Sequence, residues 1–408
     1  MFPRTISAGA ALLMACTCAS AQEWTERSIL ALFEQQSPMK REVRAAAVAA
    51  MEEMRGRSLW PNPIASYSRE TVGFTEFLQA EQQLPVSGRL ALARKAMEPA
   101  RQTAEAEGEA RIWAIRSGLR MAFYRSLAAQ QQESFLRASL AEIRAVVDLL
   151  TTREREGEGS RYDRIRVQRE TADLEADIAV ARAVARGERS ALLTYLPPTT
   201  SIQTLTGELG TRSLVLDLEG IAGQALNRRA EFRAQQSRLA QLSLEQQAAD
   251  RLRIPEPSVT AGLKRTQTGI QQGMGQNGSG AVIGVSIPLP LFNKGRAEVA
   301  RLSAEQDRIR AQRESLSQQV RATLAGAIDV LTNRMAAIAA FDQATADAGE
   351  ELLRTARLGF QEGELGILQL LDAYRLKRQT ALRRLELQLA VKESEIELSR
   401  AAGFEVTQ

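Results

Sequence analysis

The 408-residue sequence writes the same punctuation twice. Residues 84–89 read LPVSGR and residues 289–296 read LPLFNKGR, and a long polar, Ala-rich stretch follows each. The Gly-Arg pairs, Gly88-Arg89 and Gly295-Arg296, are one of four matched landmarks. Residues 29–38 share hydrophobic spacing with 221–230. Pro61-Asn62-Pro63 answers to Pro255-Glu256-Pro257, and Glu156-Gly157-Glu158 to Glu362-Gly363-Glu364. The landmarks keep their order at separations of 192, 194, 207 and 206 residues; the jump falls where the second copy carries TQTGIQQGMGQNGSG. A duplication of this length constrains the fold before any single element does, because one supersecondary plan must serve twice.

The plan reads as a helical stretch closed by Pro-x-Pro, two extended segments, a Gly-Arg junction, a very long helix, a break at Glu-Gly-Glu and a returning helix. The first repeat, 22–210, is expected to hold a strand pair at about 63–85, a helix at 89–155 and a return helix at 160–195. The second, 211–408, is expected to hold a strand pair at about 257–289, a helix at 296–361 and a return helix at 365–402. Each long helix would run about 100 Å at the α-helical rise. Pro99 should kink the first of them, since it lacks a backbone donor. In the last helix Leu368, Arg375, Leu382, Leu389 and Ile396 fall on a seven-residue register, with Leu371 and Leu385 on the companion position. That spacing predicts a coiled-coil-like seam, interrupted by Arg375, Arg378 and Lys392.

The strands are clearest in the second repeat. In 281–289, Ala281, Ile283, Val285, Ile287 and Leu289 alternate with Gly284, Ser286 and Pro288; in 258–266, Val259, Ala261 and Leu263 alternate with Thr260, Gly262 and Lys264. Period two with one apolar face describes a strand whose two sides meet different surroundings. Two explanations fit: a hairpin on a soluble core, or a barrel strand with lipid outside and a lumen inside. The first-half pair, around 63–72 and 74–85, alternates less cleanly.

Residues 1–21 have the grammar of a secretory leader: Arg4, the apolar run TISAGAALLMA, then Ala19-Ser20-Ala21. Leu13-Met14-Ala15-Cys16 also resembles a lipobox, which would leave Cys16 lipidated. Cys16 and Cys18 are the only cysteines, so cleavage after Ala21 leaves no disulfide in the mature chain. Beyond the leader no run of 18 apolar residues occurs, so a membrane-spanning helix is not expected. Entry into a membrane would then require a closed barrel, since open sheet edges cannot be satisfied in lipid. Four strands per chain fall short of the roughly eight needed for closure. Identical copies must therefore share one wall; two supply eight strands and a filled lumen, three supply twelve and a passage.

The chemistry-bearing residues point away from catalysis. The chain has no histidine, which removes triads, imidazole bases and the commonest transition-metal ligand. Without mature cysteine, thiol catalysis and thiolate zinc sites go as well. GIQQGMGQNGSG lacks the Lys-Ser/Thr of a phosphate loop, and Glu52-Glu53 and Glu350-Glu351 read as solvated helix faces. The formal charge is only +4, and no basic cluster is interleaved with aromatics, so nucleic acid is not an expected partner. No enzyme, cofactor or resident metal is expected.

Two segments carry a family likeness: IPLPLFNKGRAEVARLSAEQDRIRAQ (287–312) and RLGFQEGELGILQLLDAYR (357–375). With the duplicated plan, they make the chain similar to the outer-membrane efflux proteins, the TolC-type channels of Gram-negative bacteria. PLPLFNKG is closer to the CzcC-like branch, paired with heavy-metal pumps, than to general drug-efflux members. The resemblance implies a mainly helical homotrimer with a 12-stranded barrel in outer-membrane lipid, continued by a periplasmic helical tube. It implies cargo, metal ions or small toxic compounds, delivered by an inner-membrane pump, for example of the RND type, through a periplasmic adaptor. The Gly-Arg pairs would mark where strands turn into the tube. Glu156, Gly157, Glu158, Glu362, Gly363 and Glu364 would mark the tips where adaptors dock. Family members narrow the tip with acidic side chains after the turn. Asp372 matches the later acidic position, Gln369 stands where an earlier aspartate often occurs and Leu365 where an arginine is found; Asp163 falls at the corresponding place in the first half. Rings of Asp163 and Asp372 would hold an aperture and attract cations. Two other readings remain at this stage: a periplasmic coiled-coil scaffold or adaptor, and the outer-membrane duct of a type I protein secretion system.

Overall fold

The computed structural model describes residues 23–70, 75–210, 217–267, 277–345 and 348–406. The leader with Cys16 and most of the Gly/Gln-rich loop lie outside them. In chain order the elements are β1 (Glu23–Trp24), α1 (Glu26–Gln36), α2 (Pro38–Arg57), β2 (Ile64–Glu70), β3 (Thr75–Gln83), α3 (Arg89–Arg155), α4 (Arg161–Leu193) and β4 (Thr204–Leu205). There follow α5 (Leu218–Arg228), α6 (Ala230–Asp250), a 3-10 turn, β5 (Ser258–Gln267), β6 (Asn277–Ser286), α7 (Arg296–Thr345), α8 (Ala348–Gln361) and α9 (Ile367–Ala402). The first long helix has the limits expected from Gly-Arg and Glu-Gly-Glu, and it continues through Pro99.

The chain divides into two compact units, residues up to 35 with 122–209, and 36–121 with 210–408. In the first unit the apolar residues Leu136, Ile143 and Leu150 of α3 and Val167, Leu174 and Ile178 of α4 are buried, at helical spacing on each element. Ion pairs bridge the two helices on the exposed side, Arg144 to Glu175 at 2.6 Å and Arg182 to Glu133 at 3.2 Å. β1 and β4 form a short parallel pair. The Gln130 amide fixes β4 by donating to the Leu205 carbonyl at 2.9 Å and accepting from its N–H at 3.0 Å.

The second unit holds a four-stranded antiparallel sheet in the order β2-β3-β5-β6, so β2 and β6 are its outer edges. Its register explains the unclear alternation of the first-half strands. Tyr67, Leu78, Leu263 and Ala281 form one cross-strand row; Ala65, Ala80, Ala261 and Ile283 form the next; Val259 and Val285 continue the band. All lie on one face. Arg69, Glu76, Arg265 and Ser279 make the row that borders this band. The opposite face is mainly polar or small, with Ser66, Ser68, Gln79, Glu81, Thr260, Lys264, Gly280 and Gly284, and also carries Ile64, Phe77 and Val282. The apolar face is uncovered: Leu78 is 57%, Leu263 65% and Ile283 81% exposed. A hairpin on a soluble core would bury these side chains, so the register and the exposure together select the barrel-strand alternative. β6 stops at Ser286, short of the expected 289, because Pro288 and Pro290 have no N–H for a ladder.

The helical part of this unit packs α5, α7 and α9 around Ala222, Ala225, Leu324, Leu331, Ile338, Val391 and Leu398. Leu324, Leu331 and Ile338 recur every seven residues, as a seam requires. The seam on α9 keeps part of the expected one, since Leu371 and Ile396 are buried, but Leu368 is 49% exposed and Arg375 is exposed, while Ile367, Leu370 and Tyr374 are buried. The register therefore runs through Ile367–Tyr374 and Leu370–Val391–Leu398. Its polar middle is bridged by Arg384 to Asp342 at 2.8 Å and Lys377 to Glu350 at 3.3 Å.

One helical stretch, Arg296–Gln361, contains an 18-residue window of mean hydropathy 1.3, long and apolar enough by composition to cross a membrane. It was not expected because charged residues such as Asp329 and Arg334 leave no unbroken run of 18 apolar residues. Arg334 donates to the Ala390 carbonyl at 2.7 Å and to Ser394 Oγ at 2.8 Å, so this part of the helix is tied to α9 by polar contacts.

Candidate functional site

The first junction is a clasp between landmarks of the two repeats. Gly88 has φ 79°, which only glycine adopts freely, and turns the short segment after β3 into the start of α3. Arg89, the first residue of the helix, reaches Glu256 through Nε at 3.2 Å and Nη2 at 3.2 Å. Ser87 Oγ donates to the same carboxylate at 2.5 Å and Gln83 Nε2 at 3.3 Å. Glu256 is only 9% exposed, and four donated hydrogen bonds offset the desolvation of its charge. The Leu84 N–H adds a bond to the Pro257 carbonyl at 2.8 Å. Sequence reasoning passed over Glu256 as a site residue, although an acid framed by two prolines was the available signal.

The second junction has the same backbone and different side chains. Gly295 has φ 77°, and a Cβ there would sit 2.5 Å from the Ala249 carbonyl oxygen, so the position is closed to other residues. Its N–H donates to Asn293 Oδ1 at 3.1 Å. Arg296 is exposed.

The two tips are closed by one motif. Gly157 and Gly363 both have φ 80°. Glu158 N–H donates to the Arg153 carbonyl at 2.9 Å, and Glu364 N–H to the Gly359 carbonyl at 2.8 Å, the six-residue closure of a Schellman turn. Glu156, Glu158, Glu362 and Glu364 are all exposed. Beside the first tip Arg164 is paired with Glu154, and that hydrogen bond holds the Glu154 carboxyl below the usual carboxylate range. Beside the second, Arg357 lies 5.1 Å from the ring centroid of buried Tyr374 and donates to its hydroxyl at 2.9 Å.

The aperture residues are placed unequally. Ser160 is the N-cap of α4 and Gly366 that of α9. Counted from these caps, Asp163 corresponds to Gln369, and Asp372 corresponds to Arg166. Gln369 and Asp372 share the exposed face of α9 with Leu368 and Arg375. Asp163 is half-buried, on the side of α4 that leads into Val167, Glu170 and Leu174. Among the described residues no group of three or more His, Cys, Asp or Glu side chains could hold a metal ion.

Comparison with known proteins agrees with this geometry. Residues 221–404 match the family described as outer membrane efflux protein. The chain is 26% identical over 341 residues to the cobalt-zinc-cadmium resistance protein CzcC of Cupriavidus metallidurans, covering 79% of this chain and 76% of that one. Its fold is similar to that of the outer membrane protein VceC of Vibrio cholerae, with a TM-score of 0.68, 18% identity, and 93% and 96% of the two chains covered. It is likewise similar to the MtrE outer membrane channel of Neisseria gonorrhoeae, with a TM-score of 0.66, 19% identity, and 94% and 89% covered. Residues 221–404 thus match the outer membrane efflux protein family, and the chain as a whole has the fold of the outer-membrane channels it resembles.

Proposed function

We propose that three copies of this chain form the outer-membrane duct of a tripartite efflux system that exports divalent metal ions. The observation that carries the reading is the sheet: four strands, two open edges, one exposed apolar face and one polar face. Such a sheet is stable in lipid only when identical sheets close its edges, and closure puts the polar face around a lumen. The helices below would continue that lumen through the periplasm, and the exposed acidic tips at Glu156–Glu158 and Glu362–Glu364 offer hydrogen-bond acceptors to a periplasmic adaptor. Asp372, on an open helix face near the tip, would place three carboxylates around the axis and favour cations. The likeness to a cobalt-zinc-cadmium resistance protein favours metal cargo.

The purified protein should run as a trimer in detergent and give ion conductance in planar bilayers. A strain lacking the gene should become sensitive to zinc, cobalt or cadmium. A water-soluble monomer without conductance would support the scaffold reading instead, and unchanged metal tolerance with increased drug sensitivity would reassign the cargo.

A further inference from the structure

The two open edges of the sheet end in exposed apolar side chains, and both clusters lie at the same end. Leu59 and Trp60 lead into β2 and are 59% and 57% exposed. Leu289, Leu291 and Phe292 follow β6 and are 70%, 66% and 99% exposed. The row Gln83–Ser258–Ser286 closes the sheet at this end, and Ile64 begins β2 beside it, opposite Glu81. Because every neighbouring pair is antiparallel, β2 and β6 run in opposite directions. When β6 of one copy pairs with β2 of another, the segment leaving β6 meets the segment entering β2.

The seam inside the chain shows what such a meeting looks like. There β3 lies on β5, Leu84 N–H donates to the Pro257 carbonyl, and Val86 N–H turns back to the Leu84 carbonyl at 2.9 Å. After β6 the same turn recurs, Leu291 N–H to the Leu289 carbonyl at 2.8 Å. Leu289 is therefore the counterpart of Leu84, and its own N–H has no acceptor among the described residues. The counterpart of Pro257 is Pro63, at the other open edge. The charges do not carry over: Asn62 stands where Glu256 stands, so it offers Arg296 no carboxylate. The phrase LPLFNKGR is also two residues longer than LPVSGR, and Phe292 lies in the added stretch.

We infer that the seam between copies repeats the backbone plan of the internal seam but is held by apolar contact, Leu289–Phe292 of one copy against Leu59–Ile64 of a second copy, with Phe292 and Trp60 as its central pair. The inference rests on the ring reading above. Aromatic side chains of this size dominate interface energetics once they are desolvated. The Leu289 N–H bonds to the neighbour's Pro63 carbonyl, and Arg296 lies beside Asn62 without an ionic partner.

The test is cross-linking of the full chain in detergent, in a Cys18→Ser background. With Trp60→Cys and Phe292→Cys in the same chain, a short bismaleimide should give covalent dimers and trimers on a denaturing gel, and either single variant should give none. Leu59→Cys with Leu291→Cys is a second pair that leaves both aromatics in place, and it should cross-link as well. A trimer that neither pair cross-links overturns the inference and leaves the channel reading standing. A monomer in detergent overturns both.

Discussion

The turns at Gly157 and Gly363 share a backbone and differ in what holds them. Each is a Schellman closure with glycine at φ 80° and a glutamate on either side. Around the first, the helices are joined by the half-buried pair Glu154–Arg164. Around the second, Leu365 packs on Gly359, where a Cβ would come within 2.8 Å of its side chain, and Arg357 stacks on buried Tyr374. The duplicated sequence has kept the positions that fix φ and let the side chains diverge. The first turn is therefore sensitive to charge, and the second to packing.

Four experiments would break or sharpen that contrast. Tyr374→Ala should have the largest effect: truncating a buried aromatic costs about 3–5 kcal/mol, and hydrogen exchange of the segment 355–376 should accelerate accordingly while 150–166 is unchanged. Gly157→Ala and Gly363→Ala should each cost about 1–2 kcal/mol, because both impose a left-handed conformation on a residue with a Cβ. Equal losses at the two sites would confirm the shared backbone; a marked inequality would refute it. Acid should separate the turns in the other sense. The Glu154 carboxyl titrates below its unfolded value because Arg164 hydrogen-bonds its charged form. Its contribution is complete above the ordinary carboxylate range and is lost as pH falls through the lowered value. Below pH ~4 exchange should rise in 150–166 more than in 355–376, where Leu365 and Tyr374 hold the turn by packing. The smallest effect concerns conductance. Asp372→Ala on the open face of α9 should raise single-channel current, while Asp163→Ala on the packed side of α4 should change it less; equal changes would restore the two as one ring.

How far the sequence could be read follows the same division. Gly88, Gly157, Gly295 and Gly363 announced their junctions and tips because a positive φ leaves few alternatives to glycine. The limits of α3 followed from them directly. What depended on partners was not visible. Glu256 stood in the sequence only as the middle of a Pro-x-Pro landmark, and its role appears when the fold brings Ser87 and Arg89 to it across 167 residues or more of chain. The band through Leu78 and Leu263 needed the pairing of β3 with β5, since neither first-half strand alternates cleanly alone. The α9 seam was legible at Leu371 and Ile396 but not at Leu368, because heptad counting cannot choose between adjacent registers when both carry leucines; near the turn the burial of Tyr374 beside Arg357 decided it. Asp163 and Gln369 stand at equal distances from their turns and from their helix caps, a correspondence that both sequence and structure give.

The uncovered face and bare edges of the β2-β3-β5-β6 sheet also bear on the life of the chain before it reaches its final place. A lone subunit crossing an aqueous compartment carries its stickiest surface outward, so every delay in finding its fellows is an opportunity for aggregation. Supply must therefore be matched to encounter: synthesis faster than subunits can meet, or faster than escorts can shield them, should yield insoluble deposits in place of additional pores.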